Sequence, residues 1–201
     1  MDVALHDELL ALLAEAESLH ASLTATGEIH EGYPPKLAAL NERHARRLEA
    51  ILGTRGWPGR SLVGPDGAHA AWMLAQHAIS LPTFQRQALG HLQDAAARGE
   101  ATPAQAAYLE DKIRFLEGRP QRYGTQFDWD ENGEMSPWTL EAPDRVDELR
   151  RAVGLGPLPE MIERFRREET GEHRPKDFRA RQREIEAWAR SVGWRRAPQH
   201  P

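Results

Sequence analysis

The chain has 201 residues, no cysteine, 40% hydrophobic residues and a formal net charge of −5. That length supports a sizeable core without staples, and the missing thiol excludes a disulfide framework, a cysteine nucleophile and a cysteine-based zinc site. The acidic balance argues against a dedicated nucleic-acid binder, and no apolar run approaches the roughly 20 residues that span a bilayer.

Residues 1–8 are acidic and lack the basic start of a signal peptide, so a cytoplasmic location is expected. Leu5, Leu9, Leu12, Leu13 and Leu19 recur at helical spacing and predict an amphipathic helix over residues 2–23. Gly27, Gly32, Pro34 and Pro35 mark a connection. A second helix is expected over 35–52, with Leu37, Leu40, His44, Leu48 and Ile51 on its buried stripe. His44 stands where an aliphatic residue would, so it needs a hydrogen-bond partner.

Four glycines and two prolines in residues 53–65 read as a structural loop, with Trp57 plugging it onto the core. No Gly-Lys-Ser/Thr follows and no strand precedes, so it is not a phosphate loop. Residues 66–80 then read as a buried helix capped by Asp66. On it, His69, Met73, Gln76, His77 and Ser80 share one stripe about a third of the circumference wide. Two imidazoles and an amide on an otherwise apolar helix require partners or a wet cleft, so this stripe is a candidate site.

Pro82 opens a fourth helix that Gly99 ends, and Thr102-Pro103 opens a fifth that Gly118 ends. On the fifth, Leu109, Ile113 and Leu116 form one row, and Tyr108, Asp111, Lys112 and Phe115 the next. From about residue 121 to 140 the period changes to two, around a turn at 130–133, which predicts a β-hairpin; Pro137 makes its second strand an edge. Short helices follow at 143–153 and 158–169, then a polar flexible stretch at 170–176. The last helix, 175–192, carries Phe178, Gln182, Ile185, Ala189 and Val192 on one face.

His69 and His77 lie roughly 12 Å apart along a helix axis, too far for one zinc, so no metal or other cofactor is expected. Residues 121–126 pack Gln121, Arg122, Tyr123, Thr125 and Gln126 around Gly124. Carboxamides donate and accept at fixed geometry and suit recognition of a polar ligand; equally, they suit a hairpin that bonds its own backbone.

Read in order, Gly56-Trp57-Pro58, Val63-Gly64, Gln76-His77-Ala78, Asp111-Lys112-Ile113, Gln121 to Gln126, and Arg150 before Gly154-Leu155 resemble a bacterial domain-of-unknown-function family, number 6624. The pattern covers about residues 41–158, and Lys112 stands where it usually has Arg. The resemblance carries no activity. It implies that His77, Asp111, Gln121, Tyr123, Thr125 and Gln126 come together.

The expected protein is mainly α: a single helical domain, residues 1–174, with one small hairpin at about 121–140. An amphipathic helix, 175–201, is expected to pack on it or on a second copy. The first functional expectation is a small-molecule-binding protein or enzyme with a polar cleft. There His77 is general acid/base and Asp111 orients it. His69, Gln76, Lys112, Gln121, Arg122, Tyr123, Thr125 and Gln126 contact a small polar or anionic ligand. The alternative is a protein-interaction module, such as a toxin antagonist or assembly factor, whose polar cluster is structural. Either is expected as a monomer or homodimer that engages neither membrane nor nucleic acid.

Overall fold

A computed structural model describes residues 1–30, 32–169 and 174–196. The fold is mainly α, with eight α-helices and one two-stranded antiparallel sheet among the described residues. None of the described helices is long and apolar enough to cross a membrane. The chain divides into two compact units, residues 1–106 and 107–201.

In the first unit, α1 (Val3–Thr26) starts where Asp2 Oδ1 accepts from the Leu5 amide at 3.1 Å. It buries Leu5, Leu9 and Leu13 of the expected leucines together with Ala16 and Leu23, while Leu12 and Leu19 are half-buried. Helix α2 (Pro35–Arg55) buries Leu37, Leu40, His44, Leu48 and Ile51 as the spacing predicts, and adds Asn41.

The expected loop at 53–65 is largely helical instead. Helix α2 continues to Arg55, and α3 (Arg60–His77) begins four residues after Gly56. Glu100 makes the early start possible. Its carbonyl accepts from the Arg60 amide at 3.0 Å and its carboxylate from the Ser61 amide at 2.8 Å, two donors that a helix start leaves open. Gly64, at φ +75°, kinks α3, and Pro65 opens the longer segment. Asp66 is therefore inside the helix and not its cap. Ser80 lies beyond the helix and donates to Glu42 at 3.0 Å.

Helix α4 (Pro82–Ala97) and the start of α5 (Pro103–Glu117) complete this unit. Thr102 and Gln105 form a reciprocal capping box: Thr102 Oγ1 accepts from the Gln105 amide, and Gln105 Oε1 from the Thr102 amide.

The second unit holds the rest of α5, strands β1 (Phe127–Trp129) and β2 (Met135–Pro137), and helices α6 (Val146–Ala152), α7 (Leu158–Glu168) and α8 (Phe178–Ser191). The hairpin is shorter than the alternation predicts, pairing Phe127 with Pro137 and Trp129 with Met135. Asp130 makes its turn: Oδ1 accepts from the Asn132 and Glu134 amides, and Oδ2 from the Ser136 hydroxyl.

Helix α8 starts at Phe178, three residues later than expected, because Asp177 caps it. Its Arg181 pairs with buried Asp128 at 2.9 Å and lies over the Trp129 ring. Arg195 donates to the Phe115 and Leu116 carbonyls, the acceptor-rich end of α5. The expected flexible stretch and tail fall partly on residues 170–173 and 197–201, outside the described residues.

His6 joins α1 to α3 by presenting Nδ1 to Asp7 at 2.7 Å and Nε2 to Asp66 at 3.2 Å. The bond to Asp7, then that to Asp66, raises the His6 pKa, while His6 lowers that of Asp66. The His6 contribution is complete below its unfolded pKa of about 6.5 and disappears as pH rises through its higher folded value. The Asp66 contribution is present above about pH 4 and disappears as pH falls through its depressed folded value. Melting temperature should therefore fall from pH 5.5 to pH 8.5 more steeply in the natural chain than in His6→Gln. Parallel profiles would show that His6 contributes nothing.

Candidate functional site

The residues between Gln121 and Gln126 form a loop rather than a strand, because partners outside the hairpin claim their backbone groups. Asp111, fully buried on α5, is the first of these. Its Oδ1 accepts from the Arg122 amide at 2.7 Å. Its Oδ2 accepts from the Thr125 amide and the Thr125 hydroxyl, both at 3.1 Å, and the Tyr123 amide is shared between the two oxygens. Burial pushes the Asp111 carboxyl above the usual aspartate range, against the pull of these donors.

Arg150 of α6, 1% exposed, takes the other side of the loop. Its Nη1 donates to the Tyr123 carbonyl at 2.6 Å and to that of Gly124 at 3.3 Å, and its Nε donates to the Gly156 carbonyl at 2.6 Å. Burial lowers the Arg150 pKa, opposed by Tyr108, Asp147 and Asp111. A carboxylate thus gathers the amides of the loop while a guanidinium gathers its carbonyls.

Gln121 closes the loop. Its Nε2 donates to the Gln126 and Trp138 carbonyls, and its Oε1 accepts from the Gln126 amide. Gln126 Nε2 in turn donates to Thr125 Oγ1. Gly124 adopts φ +63°, and a Cβ there would come within 3.0 Å of the Leu158 side chain. The close approach that this glycine permits is by leucines of the same unit.

Asp111, Gln121, Arg122, Tyr123, Thr125 and Gln126 are therefore neighbours within the second unit. The Arg122 guanidinium pairs with Glu110 at 3.2 Å and lies 5.4 Å from the Tyr123 ring centre. Lys112 is half-buried and makes no hydrogen bond or ion pair among the described residues; burial pushes its ammonium pKa down.

His69, Gln76 and His77 lie on α3 in the first unit. His69 is exposed and stacks obliquely against Trp72, with ring centres 5.2 Å apart. Gln76 is buried, and His77 is half-buried at the last residue of the helix. Side chains cover the carbonyls at this helix end. Gln85 donates to those of Ala75 and Gln76, and the Tyr33 hydroxyl to that of His77 at 3.4 Å. Asn41 donates to the Tyr33 hydroxyl at 3.0 Å. His44, 1% exposed, bonds Glu15 through Nε2 at 2.9 Å.

Arg150, Asn41, Tyr33 and Gln85 are not among the candidate site residues that the sequence points to. Two of them carried a signal. Arg150 opens the R-x-x-x-G-L element, and Asn41 lies one turn before His44 on the buried stripe.

Fold and cluster together define a mainly α protein in which a short motif loop is locked between a buried acid and a buried base. The chain belongs to a family of unknown function (DUF6624), whose model matches residues 3–171. No curated protein and no solved structure matches the chain.

Asp111→Asn should cost about 2–4 kcal/mol of unfolding free energy, because the new amide group would face backbone donors in a buried site. Urea denaturation measures it. A loss below about 1 kcal/mol would mean that the loop does not depend on the carboxylate. His44→Gln should cost about 1–3 kcal/mol by the same measurement, since a buried amide there must find new partners. An unchanged midpoint would show that the Glu15 contact does not stabilise the fold.

Proposed function

We propose that this chain is a protein-interaction module whose polar cluster fixes the fold, and not an enzyme built on His77 and Asp111. One observation carries this reading. A carboxylate offers about four lone-pair sites, and Asp111 already accepts from the amides of Arg122, Tyr123 and Thr125 and from the Thr125 hydroxyl. No site is left to orient an imidazole as a general base requires. The reading takes the chain as a cytoplasmic monomer or homodimer that acts without metal or cofactor, in the manner of a toxin antagonist or assembly factor.

A second reading, binding of a small polar or anionic ligand, is favoured by Lys112. An ammonium partly withdrawn from water, with no counter-ion among the described residues, is suited to an anion. In this reading Lys112 and Arg122 hold the anion.

One experiment tests the interaction reading against an enzyme built on His77. His77→Gln should shift stability by less than about 1 kcal/mol, as replacements outside a packed core do. In the interaction reading it also leaves genetic complementation of a deletion strain intact. Complementation lost with melting unchanged would restore His77 as a catalytic group and overturn the proposal.

A further inference from the structure

Beyond the interaction reading and independent of it, we infer that Met161 of α7 is a modification site: a peroxide oxidises its thioether, and Arg150 then holds the sulfoxide oxygen. Arg150 is 1% exposed and makes no ion pair among the described residues. Its charge persists all the same, because a guanidinium in a protein does not give up its proton. Its N–H donors therefore need acceptors inside the fold. Nε is served by the Gly156 carbonyl at 2.6 Å, and Nη1 by those of Tyr123 and Gly124. Among the described residues Nη2 meets only Met161 Sδ, at 3.6 Å. A thioether is a weak acceptor, so one nitrogen of a buried cation is left with a poor partner.

Helix α7 delivers the sulfur to that nitrogen. Leu158, one turn before Met161 on the same face, packs close to Gly124, and its amide donates to Asp147 of α6 at 2.7 Å. The start of α7 is thus fixed on the motif loop and on α6. Met161 itself is only half-buried, so a small oxidant has access to it from solvent.

With hydrogen peroxide, a sulfur lone pair attacks one oxygen, the S–O bond forms and the O–O bond breaks. The proton of the transferred oxygen passes to the other, which leaves as water; sulfur is oxidised and the peroxide reduced. The new oxygen carries partial negative charge and suits a guanidinium. Charge-assisted hydrogen bonds run at about 2.7–2.9 Å, and an oxygen bonded to Sδ, set off the sulfur–nitrogen line, reaches Nη2 at that distance with neither atom moved. Methionine oxidation ordinarily disrupts packing by placing a polar group among apolar ones. Here it supplies the acceptor that Nη2 needs, so it tightens α7 on the motif loop.

Graded hydrogen peroxide on the full chain tests this, with mass mapping of Met1, Met73, Met135 and Met161 and urea denaturation of each sample. The unfolding midpoint should rise in step with sulfoxide at Met161 and not with that at the other methionines. Full oxidation there should raise the folding equilibrium constant by about threefold or more. Met161→Gln, which places an amide oxygen near the sulfur position, should exceed Met161→Leu in stability by about threefold or more with no oxidant present. Peroxide should not raise the midpoint of Met161→Leu. A midpoint that falls as Met161 is oxidised, a folded chain that resists oxidation at Met161 after Met1 has fully reacted, or a Met161→Gln variant no more stable than Met161→Leu would each overturn the assignment.

Discussion

The second unit depends on one buried carboxylate. A chain that reverses between α5 and the hairpin exposes amides and carbonyls that neither helix nor ladder can satisfy, and burying them unpaired is costly. Asp111 meets the amides of Arg122, Tyr123 and Thr125 from one side, and Arg150 meets the carbonyls of Tyr123 and Gly124 from the other. The two ions need not touch to assist each other. Each polarises the same peptide groups, and Asp111 helps hold the charge of Arg150. Because the loop is fixed, Gln121 reaches the Trp138 carbonyl, and the hairpin is set beside α5 through the perpendicular rings of Phe115 and Trp138.

The first unit solves a related problem with neutral groups. At the end of helix α3 side chains meet the last carbonyls, and the bonds to those of Ala75 and Gln76 are buried. Gln85 from α4 and Tyr33 from the connection before α2 supply the donors, and Asn41 holds Tyr33 in place. Buried Gln85 on α4 and Asn41 on α2 are thus explained by a helix end. His44 follows the same logic at its own contact, where Glu15 of α1 receives its ring nitrogen.

These arrangements show why the helices were legible from sequence and the motif loop was not. Leu5, Leu9 and Leu13, or Leu37, Leu40 and Leu48, announce their helices because burial follows a local period. The 60–63 turn of α3 escaped the same reading because its support, Glu100, lies about forty residues away. Arg122, Gly124, Gln126 and Asp128 alternate with Tyr123, Thr125, Phe127 and Trp129 as a strand would, yet Asp111 and Arg150 decide the conformation of residues 121–126 from positions that no local pattern includes. The ordered motifs did indicate which second-unit residues are neighbours. They could not indicate that the Asp111 and Gln121 side chains bond backbone groups of the loop and hairpin.

That distinction separates the motif residues by what their chemistry is still free to do. Asp111, Gln121 and Thr125 are buried, and the contacts of their polar side-chain groups lie within the loop and hairpin, so changing them changes folding before it changes recognition. Arg122 is different: its backbone amide belongs to the knot while its guanidinium remains over a third exposed. Lys112 sits one residue after the central carboxylate and makes no hydrogen bond or ion pair among the described residues. The loop is held from both sides by buried groups. It holds the backbone of Arg122 in place, and an exposed guanidinium on a fixed backbone loses less conformational freedom when a partner arrives. In this chain the buried half of the motif makes the geometry, and the accessible half is where recognition would draw on it.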